Sequence, residues 1–599
     1  MKKIILFWAF FFFLNQYCSA QLTGIKTIPG DYPTVAAAVN DLNLQGVGAG
    51  GVTFRITAGY TELITSPIKI TATGTAPDPI VFERWGAGAD PLIKRTDAGT
   101  LATSIDGGAG DAVIRIEGTD FLTFSGIDVS TTSQGIEYGY LTHKPDGTDG
   151  CHHVTIKNST ITMTKGTSPY VYGIYIGNGT VSTSSATGVT VTAASGINSG
   201  IIITGNTIQN VFKGIVMQGA SDAGFYDSDF TVGQAGEGNT IRNFGGSVLN
   251  AETYGIYMLY VNNPTVTYNV IDNAGGGGTG QVYGIWAIWF ATVSGDVVCN
   301  NNSINVSVTF APFVFSQARY IAVTSPVNSI TCQDNVFSAG TMSSRGNVYI
   351  IYFVDNAANI IVSGNTTGGT ISKTSADGNF YCYFHDLTIP GSEDIHDNNF
   401  SNISLAGISA FYGIYSYISS NPGVQHIVNA HNNTISNITG VSSGNKCGIY
   451  ISGITHSSVY RNNINSITGH GAVYGMQVSA GQGNKSYIYS NDVHNLSSDT
   501  WTEQVIGIYL PTGQVYYVYN NFVSGLNATA GQDINAVVGL FLGGGDTLHV
   551  YYNTVFLNAA SSSATTFGTS GLFRGTSSPS CVELRNNIIV NISTPGPTG

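Results

Sequence analysis

Charge is scarce in this chain. Only 10% of its 599 residues are Asp, Glu, Lys or Arg, and 22 basic residues stand against 35 acidic ones, a formal net charge of −13. So little positive charge, scattered without a run, excludes nucleic acid as a partner and disfavours a strongly anionic glycan. Cysteine is scarce as well, seven in all, with no Cys-x-x-Cys or Cys/His spacing that suggests zinc. No Asp-Asp pair occurs, and the only adjacent acids are Glu393-Asp394. Past the N-terminus no apolar run is long enough to span a bilayer, Tyr283 to Val293 being too short.

What the sequence has is repetition. About every thirty residues an asparagine recurs with an apolar residue three before it and another two after: Ile203/Asn206/Ile208, Val266/Asn269/Ile271, Cys299/Asn302/Ile304, Val459/Asn462/Ile464, Val518/Asn521/Val523, on to Leu584/Asn587/Ile589. Asn239 and Asn433 keep the asparagine with a looser upstream half. The residue before it is usually Gly, Asn or Asp (Gly205, Gly238, Asn301, Asp334, Gly364, Asp397, Asn432, Asn520, Asn586), types that tolerate a left-handed backbone at a tight bend. A second phrase alternates with the first: Tyr172-Gly173-Ile174-Tyr175, Tyr254-Gly255-Ile256-Tyr257, Tyr283-Gly284-Ile285-Trp286, Tyr412-Gly413-Ile414-Tyr415. Each repeat therefore holds three short alternating strands, too small to bury a core alone and able to do so by stacking on like neighbours. The fold class implied is all-β, a right-handed parallel β-helix with stacked asparagines along its axis.

These residues resemble the pectate lyase-like superfamily, whose coils carry an asparagine ladder at the turn between the second and third strands. The resemblance implies that the Gly-Ile-Tyr segment is the first strand, which usually floors the substrate cleft. It covers most of the chain and is a statement about fold, because β-helices host lyases, hydrolases, esterases, adhesins and scaffolds.

The ends differ from the middle. Residues 1–20 read as a cleavable secretory signal, with Lys2-Lys3, an apolar run from Ile4 to Leu14 and Cys18-Ser19-Ala20 before Gln21, so a secreted, extracellular or cell-surface protein is expected. Residues 21–110 read as an N-terminal cap, with Asp31 to Thr34 leading a capped helix from Val35 and then a strand from Val52 to Ile56. Residues 111–599 are the repeats, which read as continuing past Gly599. Six cysteines follow the signal; Cys299 and Cys332 share an inward column, and free stacked thiols suit two side chains that point the same way.

Candidate chemistry is thin. Asp355 and Asp386 each follow a first-strand segment, and with His385 they form the catalytic candidates if the protein is an enzyme, since close carboxylates and an imidazole can move a proton. The other reading is a pair of turn aspartates capping backbone amides. No cofactor or metal is called for, calcium being supported only by Asp146-Gly147-Thr148-Asp149-Gly150 and Asp227-Ser228-Asp229, which lack a full loop pattern. Two outward aromatic stripes carry more information. The first is Tyr257, Trp286, Tyr352, Tyr383, Tyr415, Tyr450, Tyr509, Phe541 and Phe573; the second is His396, His431, Tyr460, Tyr489, Tyr519 and Tyr551. Rows of flat rings with hydroxyls suit sugar rings, and packing between neighbouring strands suits them equally. The expected function is binding of a polysaccharide or cell-surface glycan. The alternatives are a polysaccharide lyase or glycoside hydrolase acting on a weakly charged glycan, and a structural rod or adhesin spacer.

Overall fold

The computed structural model describes residues 21–596 except 102–110, 181–187, 247–251, 274–278, 281–283, 311–316, 344, 355–356, 376, 419–424, 442, 514, 564 and 576–579. Met1 to Ala20, Tyr283 and Asp355 therefore lie outside the described residues. A strand over Leu22–Ile28 pairs in parallel with Val47–Thr57, and helix α1 (Val35–Gln45) crosses between them. Thr34 caps α1, its Oγ1 accepting from Ala37 N at 3.0 Å, while the Glu62 carboxylate accepts from Val35 N at 2.6 Å and Ala36 N at 3.1 Å. An acid at a helix N-terminus satisfies free amides and suits the helix dipole. Val35, Ala38, Val39 and Leu42 are buried on the side of α1 that faces the coils. Among the described residues no helix is long and apolar enough to cross a membrane.

From there the chain winds through about 16 turns. Each coil contributes strands to three faces, and each strand pairs in parallel with its equivalent one coil on. On the first face Glu252–Asn262 pairs with Gly284–Ser294, on the second Asp296–Asn300 with Ser329–Gln333, on the third Ser303–Asn305 with Val336–Ser338. Register is kept residue for residue, as in Ile241 to Ile271 to Ile304 to Phe337 on the third face. Every one of those side chains is fully buried, so each coil completes its neighbour's core.

The bend between the second and third faces holds the asparagines. From Asn206 to Asn587 each is stacked on the next, and Asn398 shows the unit. Its Nδ2 donates to Asn433 Oδ1 at 2.9 Å and to Val362 O at 2.9 Å, and its backbone N–H donates to the same Oδ1 at 3.1 Å. One side chain thus satisfies a turn whose backbone could not reach a partner of its own. The preceding residue is left-handed at Gly205, Asn301, Asp334, Gly364, Asp397, Asn432, Asn520 and Asn586, as expected, and also at Tyr268, Arg461, Ser490 and Tyr552, which the residue types did not announce. Gly238 is glycine for another reason: a Cβ there would lie 1.7 Å from Tyr268 O.

A small inward residue between the aromatics of the first face is equally geometric. A Cβ on Gly173 would lie 2.4 Å from Ile208 Cγ2, a third-face core residue. This constraint corrects one alignment of the repeats. Tyr254 pairs with Trp286 and Tyr257 with Trp289, so the equivalent phrase is Trp286-Ala287-Ile288-Trp289, with alanine in the glycine's place. Cys299 and Cys332 are in register and free, each sulfur facing an asparagine amide, at 3.6 Å from Asn302 and 3.5 Å from Asn335.

Two buried lysines mark the third-face turns. Lys373 Nζ donates to Ser409 Oγ at 3.2 Å and Ser375 O at 3.3 Å; Lys446 Nζ donates to Ser409 O at 3.0 Å and to Gly444 O. Burial pushes each down to about 8. Unfolded lysine holds its proton to a higher pH, so between pH 8 and 10 the unfolded chain binds more protons and stability rises with pH, by at most about 1.4 kcal/mol per unit for each lysine. Above about pH 10 the trend reverses, because burial holds the hydroxyls of Tyr140 and Tyr320 well above the usual range. Urea midpoints measured from pH 7.5 to 11 should pass through a maximum near 10. A flat profile would mean that the oxygen cradle keeps both ammonium groups charged.

Candidate functional site: outward aromatic columns

The first face carries two aromatic columns, because in Tyr412-Gly413-Ile414-Tyr415 the two middle residues both turn inward and both tyrosines turn out. One column runs Tyr254, Trp286, Arg319, Tyr349, Tyr381, Tyr412, and the other Tyr257, Trp289, Ala322, Tyr352, Phe384, Tyr415, Tyr450. The second continues through Gln477 to Tyr509, Phe541 and Phe573. From Tyr349 to Tyr450 rings within a column lie parallel, as in Tyr349–Tyr381 at 5.0 Å and 9°, and Phe384–Tyr415 at 5.4 Å and 3°, whereas Tyr254–Trp286 is tilted by 41° and Phe541–Phe573 by 78°. Between columns the same coils meet edge to face, as in Tyr381–Phe384 at 5.1 Å and 76°, while Tyr254–Tyr257 and Trp286–Trp289 stack at 16°. Arg319 lies 4.0 Å from the Tyr352 ring centroid and 5.5 Å from that of Trp286. This packing leaves Tyr254, Trp286, Tyr349 and Tyr381 buried, and Arg319, Tyr412 and the rings of the second column half-buried.

Two members of the expected first stripe lie elsewhere. Ile351 pairs with Tyr383 and Tyr352 with Phe384, so Phe384 is the stripe residue and Tyr383 points into the core with no exposed surface. A one-residue offset reverses the face of every side chain that follows. Trp286 belongs to the first column and Trp289 to the second. The expected first stripe was read by simple alternation, which hid Tyr349, Tyr381 and Tyr412, although the first tyrosine of each repeated phrase was the signal for them.

The second face carries its stripe in unbroken register: His396, His431, Tyr460, Tyr489, Tyr519 and Tyr551. Rings from His431 to Tyr519 are 4.6–4.8 Å apart and within 12° of parallel. A neighbouring row of Tyr487, Tyr517 and His549 stacks in the same way, at 5.0 and 4.6 Å. All of these are partly exposed. At such spacing each ring face is covered by the next ring, and what reaches solvent is the ring edge and its polar atom. A cavity of about 360 Å³ opens lower on the stack beside Asn178, Val189, Gln218, Gly219, Leu259 and Tyr260.

Of the catalytic candidates, Asp355 lies outside the described residues, and Asp386 and His385 point to opposite sides of their strand. Asp386 pairs with Val354 and accepts from Tyr417 OH at 3.1 Å. His385 is inside the helix, its Nδ1 3.0 Å from Glu393 Oε1. Glu393 also meets His426 Nε2 at 3.0 Å, Tyr383 OH at 2.7 Å and Ser416 Oγ at 2.8 Å, all in the core. Burial opposes the charge on Glu393, but the two histidines outweigh it and hold the carboxyl below the usual range. The calcium candidates also differ from solvated turns in part. Asp146 is exposed and accepts from Thr148 N at 2.7 Å, whereas Asp227 is fully buried and paired with Lys144 Nζ at 3.1 Å.

The stacked coils define a right-handed parallel β-helix. No family model and no curated protein matches the sequence. Solved structures that it resembles include the periplasmic alginate epimerase AlgG (12% identity, 95% of this chain and 84% of that one, TM-score 0.24). Others are PfbA, a surface adhesin of Streptococcus pneumoniae (11%, 70% and 91%, 0.31), and the PL6 family alginate lyase AlyGC (8%, 94% and 100%, 0.22). Identities and scores this low say nothing about what this chain binds.

Proposed function

We propose that this protein, displayed outside the cell, binds an extended, weakly charged polysaccharide along its axis, without chemistry of its own. The observation that carries the reading is the stripe of ring edges on the second face, which offers one polar atom per coil at 4.6–4.8 Å intervals. A chain lying along the axis therefore meets a regularly spaced row of polar atoms. The rings act as a rigid comb that holds phenols in place, which lowers the ordering cost of binding. The half-buried first-face column, Tyr352, Phe384, Tyr415, Tyr450, Tyr509 and Phe541, supplies a parallel amphipathic surface. Scarce charge suits a neutral glycan, which needs hydroxyl partners and no counter-ions.

The test is retention on a panel of neutral and acidic polysaccharides, with a triple Tyr460→Phe/Tyr489→Phe/Tyr519→Phe variant that keeps the stacked rings and removes three hydroxyls. At about 1 kcal/mol per hydrogen bond, affinity should fall on the order of a hundredfold. Unchanged retention in this variant sinks the comb, and release of reducing or unsaturated ends by the wild-type chain would move the protein among the enzymes.

A further inference from the structure

Most inward positions of the first and second faces described here are apolar, and one group that spans both faces is not. On the first face the column Met258, Phe290, Val323, Phe353 continues as His385 and Ser416 before returning to Ile451. On the second, Ile330 and Ile360 lead to Glu393 and then Val428. His426 completes the group. Neighbouring coils fold with Ile, Val or Phe at these positions, so stacking does not need the polar residues. His385, Glu393 and His426 are each at most 1% exposed.

The geometry points to a cation. The donor atoms of the three residues all lie within 4.8 Å of one another. His385 Nδ1 approaches Glu393 Oε1 to 3.0 Å without the alignment of a hydrogen bond, and His385 Nε2 and His426 Nδ1 also lack partners. Buried imidazole nitrogens are seldom left so, since each orphan costs about 1–3 kcal/mol. Three ligand-type atoms within 4.8 Å of one another in the core, with only His426 Nε2 and Glu393 Oε1 aligned as a hydrogen bond at 3.0 Å, fit the span of one bound ion. Zinc at about 2.0–2.2 Å from nitrogen and oxygen donors holds those donors about 3.3 Å apart in a tetrahedral site. Tyr383 OH donates to Glu393 Oε2 at 2.7 Å and Ser416 Oγ to Oε1 at 2.8 Å, so both carboxylate oxygens are held in place by neighbours.

We propose that His385, Glu393 and His426 hold one divalent transition-metal ion of the zinc class inside the helix. Two imidazoles and one carboxylate select zinc or its neighbours over calcium or magnesium, which prefer oxygen alone. The ion is enclosed as the coils close, and it ties strands whose outward neighbours, Phe384 and Tyr415, belong to the aromatic face. The inference is independent of the proposed glycan binding.

The experiment is metal analysis of protein made in zinc-supplemented and in cobalt-supplemented cells, purified natively and dialysed against EDTA. One ion per chain should survive dialysis, leave on denaturation and, as Co²⁺, show the intense visible bands of a four-coordinate site. Glu393→Gln should lose the ion; if that variant does not fold, the cobalt spectrum of the wild-type chain decides. Wild-type protein that retains no ion after EDTA overturns the proposal, as does a folded Glu393→Gln that retains it equally. The latter result would place the metal on surface pairs such as His396–Asp397.

Discussion

Asn433→Ala should lower the free energy of unfolding by about 4 kcal/mol, with the loss concentrated in the coils on either side. The Asn433 side chain accepts from Asn398 N at 3.1 Å and Asn398 Nδ2 at 2.9 Å, and it donates to Ile395 O at 2.8 Å and Asn462 Oδ1 at 3.0 Å. Truncation leaves the Asn398 amide, one of its side-chain protons and the Ile395 carbonyl buried without partners, each at about 1–3 kcal/mol. Alanine also leaves a void beside the stack. Coupling in a solenoid is chiefly to nearest neighbours, so amide exchange should quicken most between about residues 395 and 465 and little near α1. Asn587→Ala is the internal control, because that residue is partly exposed and water replaces what it loses. Its effect should stay near 1 kcal/mol. If both variants unfold at the same denaturant concentration as the parent, the stack is a consequence of the fold and not a support for it.

Lys144→Met should cost about 3–5 kcal/mol, because it strands a buried carboxylate. Lys144 Nζ lies 3.1 Å from Asp227 Oδ1, and neither side chain has exposed surface. Asn198 supplies the remaining contacts, through its backbone amide at 2.8 Å and its Nδ2 at 2.7 Å. Burial raises Asp227 above the usual carboxylate range even with the lysine in place. A carboxyl raised in the folded state binds its proton more tightly there than in the unfolded chain, so acid relieves its penalty. Accordingly the deficit of Lys144→Met should shrink as pH falls from 7 towards 4. The double variant Lys144→Met/Asp227→Leu should recover most of the loss, since a removed pair leaves no unpaired charge. A single variant as stable as the parent at pH 7 would show that water reaches Asp227.

The coil was readable because it is local and repeated. One asparagine per turn, an apolar residue three before it and another two after fix the bend and the strands beside it, and repetition turns a weak pattern into a strong one. The start of α1 was readable for a similar reason: Thr34 before an apolar run is a helix start, and it is where α1 starts. Residue type failed where backbone conformation is imposed from outside. Tyr268, Arg461, Ser490 and Tyr552 are left-handed because the stacked bends above and below leave no other path.

The second aromatic stripe was legible in full, since it lies at a fixed distance from each asparagine. The first was legible only in part. Its strands depart from alternation at the small inward residue, and the coil with Cys382 at that place was read one position off, which carried Tyr383 to the wrong face, while Trp286 was aligned one phrase too early. Glu393 and His426 gave a fainter signal still, as polar residues at positions that other coils fill with Ile and Val.

By itself the sequence determined the class of fold, the period of the coil, the line of the asparagines and the existence of aromatic rows, because each depends on spacing along the chain. Only the tertiary structure decided which ring faces are free, which tyrosine is inside, and that His385 meets Glu393 and His426 in the core rather than Asp386 at the surface. Those outcomes depend on register between coils some thirty residues apart, and there a shift of one residue exchanges inside for outside.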